Sequence, residues 1–158
     1  VIYNGKLLEA ENVPGFELGH MIIKKDGKLC KCGNKGCFET YASMKVLKNN
    51  LRQALDLDNT TRGEELLQML RQKGQEEPFK SIVNEFIDNL SVGISNLINI
   101  FEPEVIGIGG SFVFFEDVLL ERLRKRILEM DLLFNKRENI KIYTAVLGND
   151  AGIIGSAI

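Results

Sequence analysis

The chain has no excess of basic charge, no long apolar run and very little histidine or cysteine. Lysine and arginine number 20 against 22 aspartates and glutamates, for a net charge of −2 and a pI near 5.6. A general nucleic-acid binder carries a basic footprint, so this balance argues against nucleic acid as a partner. No apolar stretch reaches the roughly 18 residues that a membrane helix needs, and no signal-peptide pattern opens the sequence. Repeats and low-complexity tracts are missing too. Three cysteines, an odd number, do not build a disulfide framework, and Cys30 and Cys32 are poorly spaced to bridge each other. What remains is a 158-residue chain, 44% hydrophobic and 27% charged, the size and composition of one globular domain. It begins at Val1 in an apolar stretch and stops at Ile158 inside a helix-like pattern, which reads as a piece cut from a longer protein rather than a processed whole.

Periodicity gives an α/β order. Val1-Ile2-Tyr3 and Lys6 to Ala10 flank Asn4-Gly5, a strong two-residue hairpin signal. Leu18 to Lys25 is a third strand candidate, closed by Asp26-Gly27. Helices are predicted from Met44 to Leu57 with Ser43 as N-cap, from Gly63 to Lys73 with Gly74 as the stop, and from Glu77 or Pro78 to about Phe101. On that long helix Ile82, Phe86, Ile87, Leu90, Ile94, Leu97, Ile98 and Phe101 form the apolar face, and Pro103 ends it. Val105 to Ile108 reads as a buried strand, Glu116 to Met130 as a helix with Leu119, Leu123 and Ile127 inward, and Ile140 to Ala145 as the last strand. Asp150 can cap a terminal helix over 151–158. The expectation is a mixed sheet with flanking helices, beginning as an antiparallel three-strand meander and continuing parallel.

The scarce residues are concentrated. His20, Cys30, Cys32 and Cys37 include every cysteine and the sole histidine, within eighteen residues. Zinc takes thiolate and imidazole in a tetrahedron, and four protein ligands close a structural site with no position for a reactive water. Gly33 and Gly36 supply the backbone freedom that a tight loop around one ion requires. The alternative is three buried or reactive cysteines and an unrelated histidine. Glu17 and Glu39 stand within a few residues of these ligands. With the second ring nitrogen of His20 they form a cradle of two acceptors and one donor for a polyhydroxylated ligand; otherwise they are solvated surface carboxylates. Gly107-Ile108-Gly109-Gly110-Ser111, between strand and helix, is either a nucleotide-approach turn or a structural one. It lacks the P-loop Lys-Ser/Thr and the dinucleotide spacing.

Glu17-Leu18-Gly19-His20, Asp26-Gly27, Cys30-Lys31-Cys32-Gly33-Asn34-Lys35-Gly36-Cys37-Phe38-Glu39 and Tyr41-Ala42-Ser43 closely resemble the signature of the ROK family, bacterial sugar kinases and sugar-responsive repressors. The likeness extends to Val105 through Ser111 and to Gly148-Asn149-Asp150-Ala151-Gly152. It departs at Phe16, where the family has glycine and this chain has Gly15 one place earlier. The resemblance implies the actin-like, ribonuclease-H-like ATPase fold of two lobes, with residues 1–158 as the C-terminal lobe. It implies that Glu17, His20 and Glu39 bind sugar hydroxyls, that His20, Cys30, Cys32 and Cys37 hold structural zinc, and that Gly109 and Gly110 pack against the adenosine side of ATP. The family's catalytic aspartate and phosphate-binding hairpin match no residue here, so the resemblance implies a chain inert alone and an ATP- and Mg²⁺-dependent hexose kinase when complete. A sugar-sensing repressor domain is the alternative parent. The lack of a targeting signal and the zinc-type use of cysteine fit a cytoplasmic protein, and a homodimer is one assembly the resemblance allows.

Overall fold

The computed structural model describes residues 1–8, 15–130 and 140–147. Strands β1 (Ile2–Tyr3) and β2 (Lys6–Leu7) pair antiparallel about Asn4 and Gly5, both at positive φ (49° and 72°), the turn that Asn-Gly predicts. The expected third strand does not form. Leu18–His20 is a 3-10 turn, and the chain after it touches sheet-like pairing only at the isolated bridges Ile22↔Cys37 and Leu29↔Lys35. The physical reason is the cysteine loop: those bridges fold residues 20–37 back on themselves, so their backbone groups are used within the knuckle. Among the described residues there are two separate two-stranded sheets in place of one mixed sheet.

Four helices follow: α1 (Glu39–Ala42), α2 (Met44–Ala54), α3 (Gly63–Lys73) and α4 (Phe79–Phe101). α2 stops three residues before Leu57. Asp56 takes the left-handed conformation (φ 51°), and the Leu57 amide donates to the Arg52 carbonyl at 2.9 Å while Asp56 N–H donates to Gln53, a Schellman closure built on aspartate where glycine is usual. Ser43 occupies the N-cap position with extended backbone, but its hydroxyl makes no capping bond. Gly74 does close α3, with helical φ (−64°).

Strand β3 (Val105–Ile108), helix α5 (Glu116–Met130) and strand β4 (Lys141–Thr144) make a parallel β-α-β unit, with Ile106 opposite Ile142. The core lies between α4 and its neighbours. Phe86, Ile87, Leu90, Ile94 and Ile98 of α4 are buried with Leu47 and Leu51 of α2, Leu66 and Leu70 of α3, Leu119, Leu123 and Ile127 of α5, and Ile142. Periodicity missed Phe79, Val83 and the small residues Ser91, Gly93 and Ser95, all buried on α4. Leu97 and Phe101 are only partly buried. The cap at Asp150 and the helix over 151–158 lie outside the described residues, as does the match at 148–152. No helix among the described residues is long and apolar enough to cross a membrane.

Candidate functional site: a histidine-cysteine knuckle flanked by two glutamates

Three short pieces of backbone bring the scarce residues together. Glu17 is the centre of an inverse γ-turn (φ −73°, ψ 64°) in which the Leu18 amide donates to the Phe16 carbonyl at 2.8 Å. Phe16 itself is left-handed (φ 55°), a conformation that costs a side-chain-bearing residue about 1 kcal/mol and a glycine nothing. That is the physical meaning of the departure at position 16. The 3-10 turn then carries His20 toward the knuckle, with Gly19 passing beside Glu39.

The knuckle is closed by backbone bonds: Phe38 N–H to the Met21 carbonyl (2.8 Å), Ile23 N–H to Gly36 (2.9 Å), Gly36 N–H to Lys28 (2.8 Å) and Cys30 N–H to Asn34 (2.8 Å). Gly36 is required here, because it has φ 84° and any Cβ would run into the Lys24 carbonyl.

The ligand atoms of His20, Cys30, Cys32 and Cys37 all lie within 4.8 Å of one another. Cys30 Sγ is 3.5 Å from His20 Nδ1, and Cys32 Sγ is 3.6 Å from Cys37 Sγ. Thiolates at the usual zinc–sulfur distance around one tetrahedral ion would be about 3.8 Å apart. Two of the separations therefore stand close to tetrahedral edges, and the three-sulfur, one-nitrogen donor set fits zinc.

Protonation of the thiols opposes the cluster unless a cation is present. Burial pushes the Cys37 thiol up to about 12, reinforced by hydrogen bonding with Cys32 and Cys30. The backbone N–H of Asn34 pulls the Cys32 thiol down. Cys30 is raised: the Cys32 backbone N–H lowers it, but burial and donation of its own thiol proton to Glu39 outweigh that. A divalent ion reverses the preference by taking the thiolates outright.

The two carboxylates flank the imidazole on opposite nitrogens. Glu17 Oε2 is 3.8 Å from His20 Nε2, and Glu39 Oε1 is 3.7 Å from Nδ1. Glu39 also accepts the Cys30 thiol proton at 3.1 Å and has Lys31 Nζ at 3.6 Å from its other oxygen. The Cys30 bond, and then the nearby Lys31 and His20 charges, hold its carboxyl below the ordinary carboxylate range. With Nδ1 turned to the Cys30 sulfur, Nε2 stands beside the half-exposed Glu17 carboxylate. Gly109 and Gly110 lie on a different element, the turn after β3, where Gly110 has φ 65° and leads into a 3-10 turn over Gly110–Phe115. Among the described residues a Cβ on Gly110 would meet no atom within 4 Å, whereas one on Gly109 would stand 3.8 Å from the Ala145 Cβ.

Two aromatic anchors went unread in the sequence. Tyr41 is buried and its hydroxyl accepts the Lys28 amide at 2.6 Å, tying the knuckle to α1. Phe38 packs on Gly93 of α4, where any Cβ would overlap the ring. The readable signal was an aromatic pair at i, i+3 beginning directly after Cys37, one face of a helical turn. Gly93→Ala is expected to cost about 1–3 kcal/mol through overpacking and to weaken metal binding, because Cys37 and Glu39 adjoin the displaced ring. Melting temperature and metal affinity check it. Phe38→Leu in the Gly93→Ala background should recover part of both losses.

The profile of the ROK family matches residues 1–158, and the chain belongs to that family. It is 26% identical over 167 aligned residues to a glucokinase of Thermotoga maritima, covering 99% of this chain and 52% of that protein. It is 28% identical to a xylose repressor of Caldicellulosiruptor bescii, covering 98% of this chain and 41% of the repressor. Among solved structures, a ROK glucokinase from Streptomyces griseus in complex with glucose and AMPPNP superposes with a TM-score of 0.73 at 25% identity, over 89% of this chain and 49% of that one. The fold is therefore that of the actin-like ROK sugar kinases. The chain spans about half the length of the curated relatives it matches.

Proposed function

We propose that this chain is the sugar-binding, zinc-stapled C-terminal lobe of a ROK-type hexose kinase. The observation that carries the reading is the two-sided placement of His20. Nδ1 faces the Cys30 sulfur and Glu39, while Nε2 faces the half-exposed Glu17 carboxylate. His20, Cys30, Cys32 and Cys37 would hold the zinc, which supplies a structural staple and no reactive water. Ligation through Nδ1 leaves the proton on Nε2. His20 then donates to a sugar hydroxyl while Glu17 and Glu39 accept from its neighbours, which orients the ring and selects a polyol over an apolar ligand. Gly109 and Gly110 would border the nucleotide, with Gly110 leaving room on its side for a flat adenosine. The catalytic aspartate and the Mg-ATP phosphate contacts belong to the rest of the protein, so this chain alone is expected to transfer no phosphate.

The similarity to xylose repressors favours one second reading, an effector domain that uses the same cradle to sense a sugar. ADP release by the full-length protein across a panel of hexoses with Mg-ATP separates the two. Hexose-dependent turnover supports the kinase, whereas tight sugar binding with no turnover overturns it in favour of the sensor. Failure of the full-length protein to bind any monosaccharide overturns both.

A further inference from the structure

The knuckle has a charge character opposite to that of the whole chain. Residues 21–37 hold five lysines (Lys24, Lys25, Lys28, Lys31 and Lys35) against one aspartate, in a protein of net charge −2. All five are exposed. Only Lys31 has a carboxylate within 4.0 Å among the described residues. Two of the others are held in place: Lys24 Nζ and Lys28 Nζ stand 5.6 and 5.3 Å from the centre of the buried Tyr41 ring, where the ring face fixes an ammonium without neutralising it. The same loop carries two bare aliphatic side chains, Ile22 at 57% and Leu29 at 71% exposure. The two isolated bridges and the knuckle's closing backbone bonds place both on one small preorganised loop.

We propose that this knuckle is a docking surface for an acidic protein segment whose carboxylates flank one or two aliphatic side chains. The lysines would steer and register the segment, and Ile22 and Leu29 would bury against its apolar residues. The chemistry disfavours other polyanions. Reading phosphodiesters rewards the planar fork of arginine, and binding single strands rewards exposed aromatic faces; the knuckle has no arginine, and its aromatic ring is buried. A membrane surface favours tryptophan and tyrosine anchors, which are missing from 21–37. A preorganised loop loses little entropy on docking, so a small patch suffices for a transient contact. The proposal does not depend on the sugar reading, because none of its residues is placed in the cradle apart from Lys31 beside Glu39.

The test uses the metal-loaded full-length protein and two synthetic peptides of equal negative charge, one purely acidic and one with leucines between the glutamates. The mixed peptide is expected to bind about tenfold more tightly, with affinity falling as salt rises. Lys25→Glu with Lys35→Glu, both exposed and outside the knuckle's ion pairs and ring contacts among the described residues, should reduce binding of both peptides about tenfold while metal content stays at wild-type level. Ile22→Ser with Leu29→Ser should abolish the preference between them. Equal binding of both peptides, indifference to the lysine changes, or no binding would overturn the proposal. Tighter binding of phosphatidylserine vesicles or of a DNA duplex than of the mixed peptide would overturn it in favour of those partners.

Discussion

Cys37→Ser should lower zinc content from one ion per chain to near zero and destabilise the loop that bears Glu39. Cys37 is fully buried, its sulfur stands 3.6 Å from that of Cys32, and its neighbours Gly36 and Phe38 are both locked by close contacts. A serine oxygen in place of the sulfur is a hard, weakly acidic donor that does not ionise near neutral pH, so the ion would lose one of four bonds and the rest would not hold it. The affinity loss should reach several orders of magnitude, read by competition with a chromophoric chelator. The melting temperature of the metal-loaded protein should fall to that of the chelator-treated wild type. Metal affinity of the wild type should also fall as pH is lowered, because each thiol must give up a proton to bind. The metal-free chain should behave oppositely. Its Cys37 thiol, near 12 when folded and 9.0 otherwise, keeps its proton better folded than unfolded. The stability this supplies is complete below pH 9 and is lost as pH rises from there toward 12. Thermal melts of metal-free protein at rising alkaline pH check the sign.

The second large effect is expected at Glu39→Gln. The amide keeps the size of the carboxylate and removes its charge, so zinc content should remain at one per chain, while sugar affinity in the full-length protein falls about tenfold to a hundredfold. That range is what loss of a charge-assisted hydrogen bond costs in a partly desolvated site. An unchanged sugar affinity would mark Glu39 as a carboxylate that serves only Cys30, His20 and Lys31. His20→Ala should damage metal and sugar binding together, since Nδ1 faces the Cys30 sulfur and Nε2 stands beside Glu17 of the proposed cradle. Separation of these phenotypes, metal lost at Cys37 and retained at Glu39, distinguishes the staple from the cradle.

The parts legible in the sequence were those set by local chemistry. The donor set of the knuckle, the Asn4-Gly5 turn, helix α3 and strand β3 follow from spacing and turn residues alone, and their bounds agree with the structure. The expectation that failed, a strand over 18–25, was apolar enough to read as one. What overrode it was a tertiary demand: His20 had to reach the sulfurs, and Ile22 pairs with Cys37 in place of a neighbouring strand. The end of α2 was misplaced because Asp56 adopts a conformation that sequence reasoning assigns to glycine. Gly93 and Ser91 were invisible for a related reason. A small residue inside an apolar helix carries no hydrophobic signal, and only the Phe38 ring lying across Gly93 reveals why it is there.

Helix α4 serves two clients from one rod. Gly93 seats the Phe38 ring beside the knuckle, and Ile98, farther along, is buried in the core that also contains Ile127 and Ile142. Each residue added to an α-helix turns everything beyond it by about 100° and advances it by about 1.5 Å. A single insertion or deletion between Gly93 and Ile98 would therefore swing the seat for Phe38 away from the face that holds the sheet. The exposed turn around Thr60, bonded to Asp58 and through the Thr61 carbonyl to Arg52 of α2, could lengthen without disturbing either. This stretch of α4 should be nearly frozen in length while the link between α2 and α3 drifts, a pattern that deletion scanning with growth or folding readouts would reveal directly.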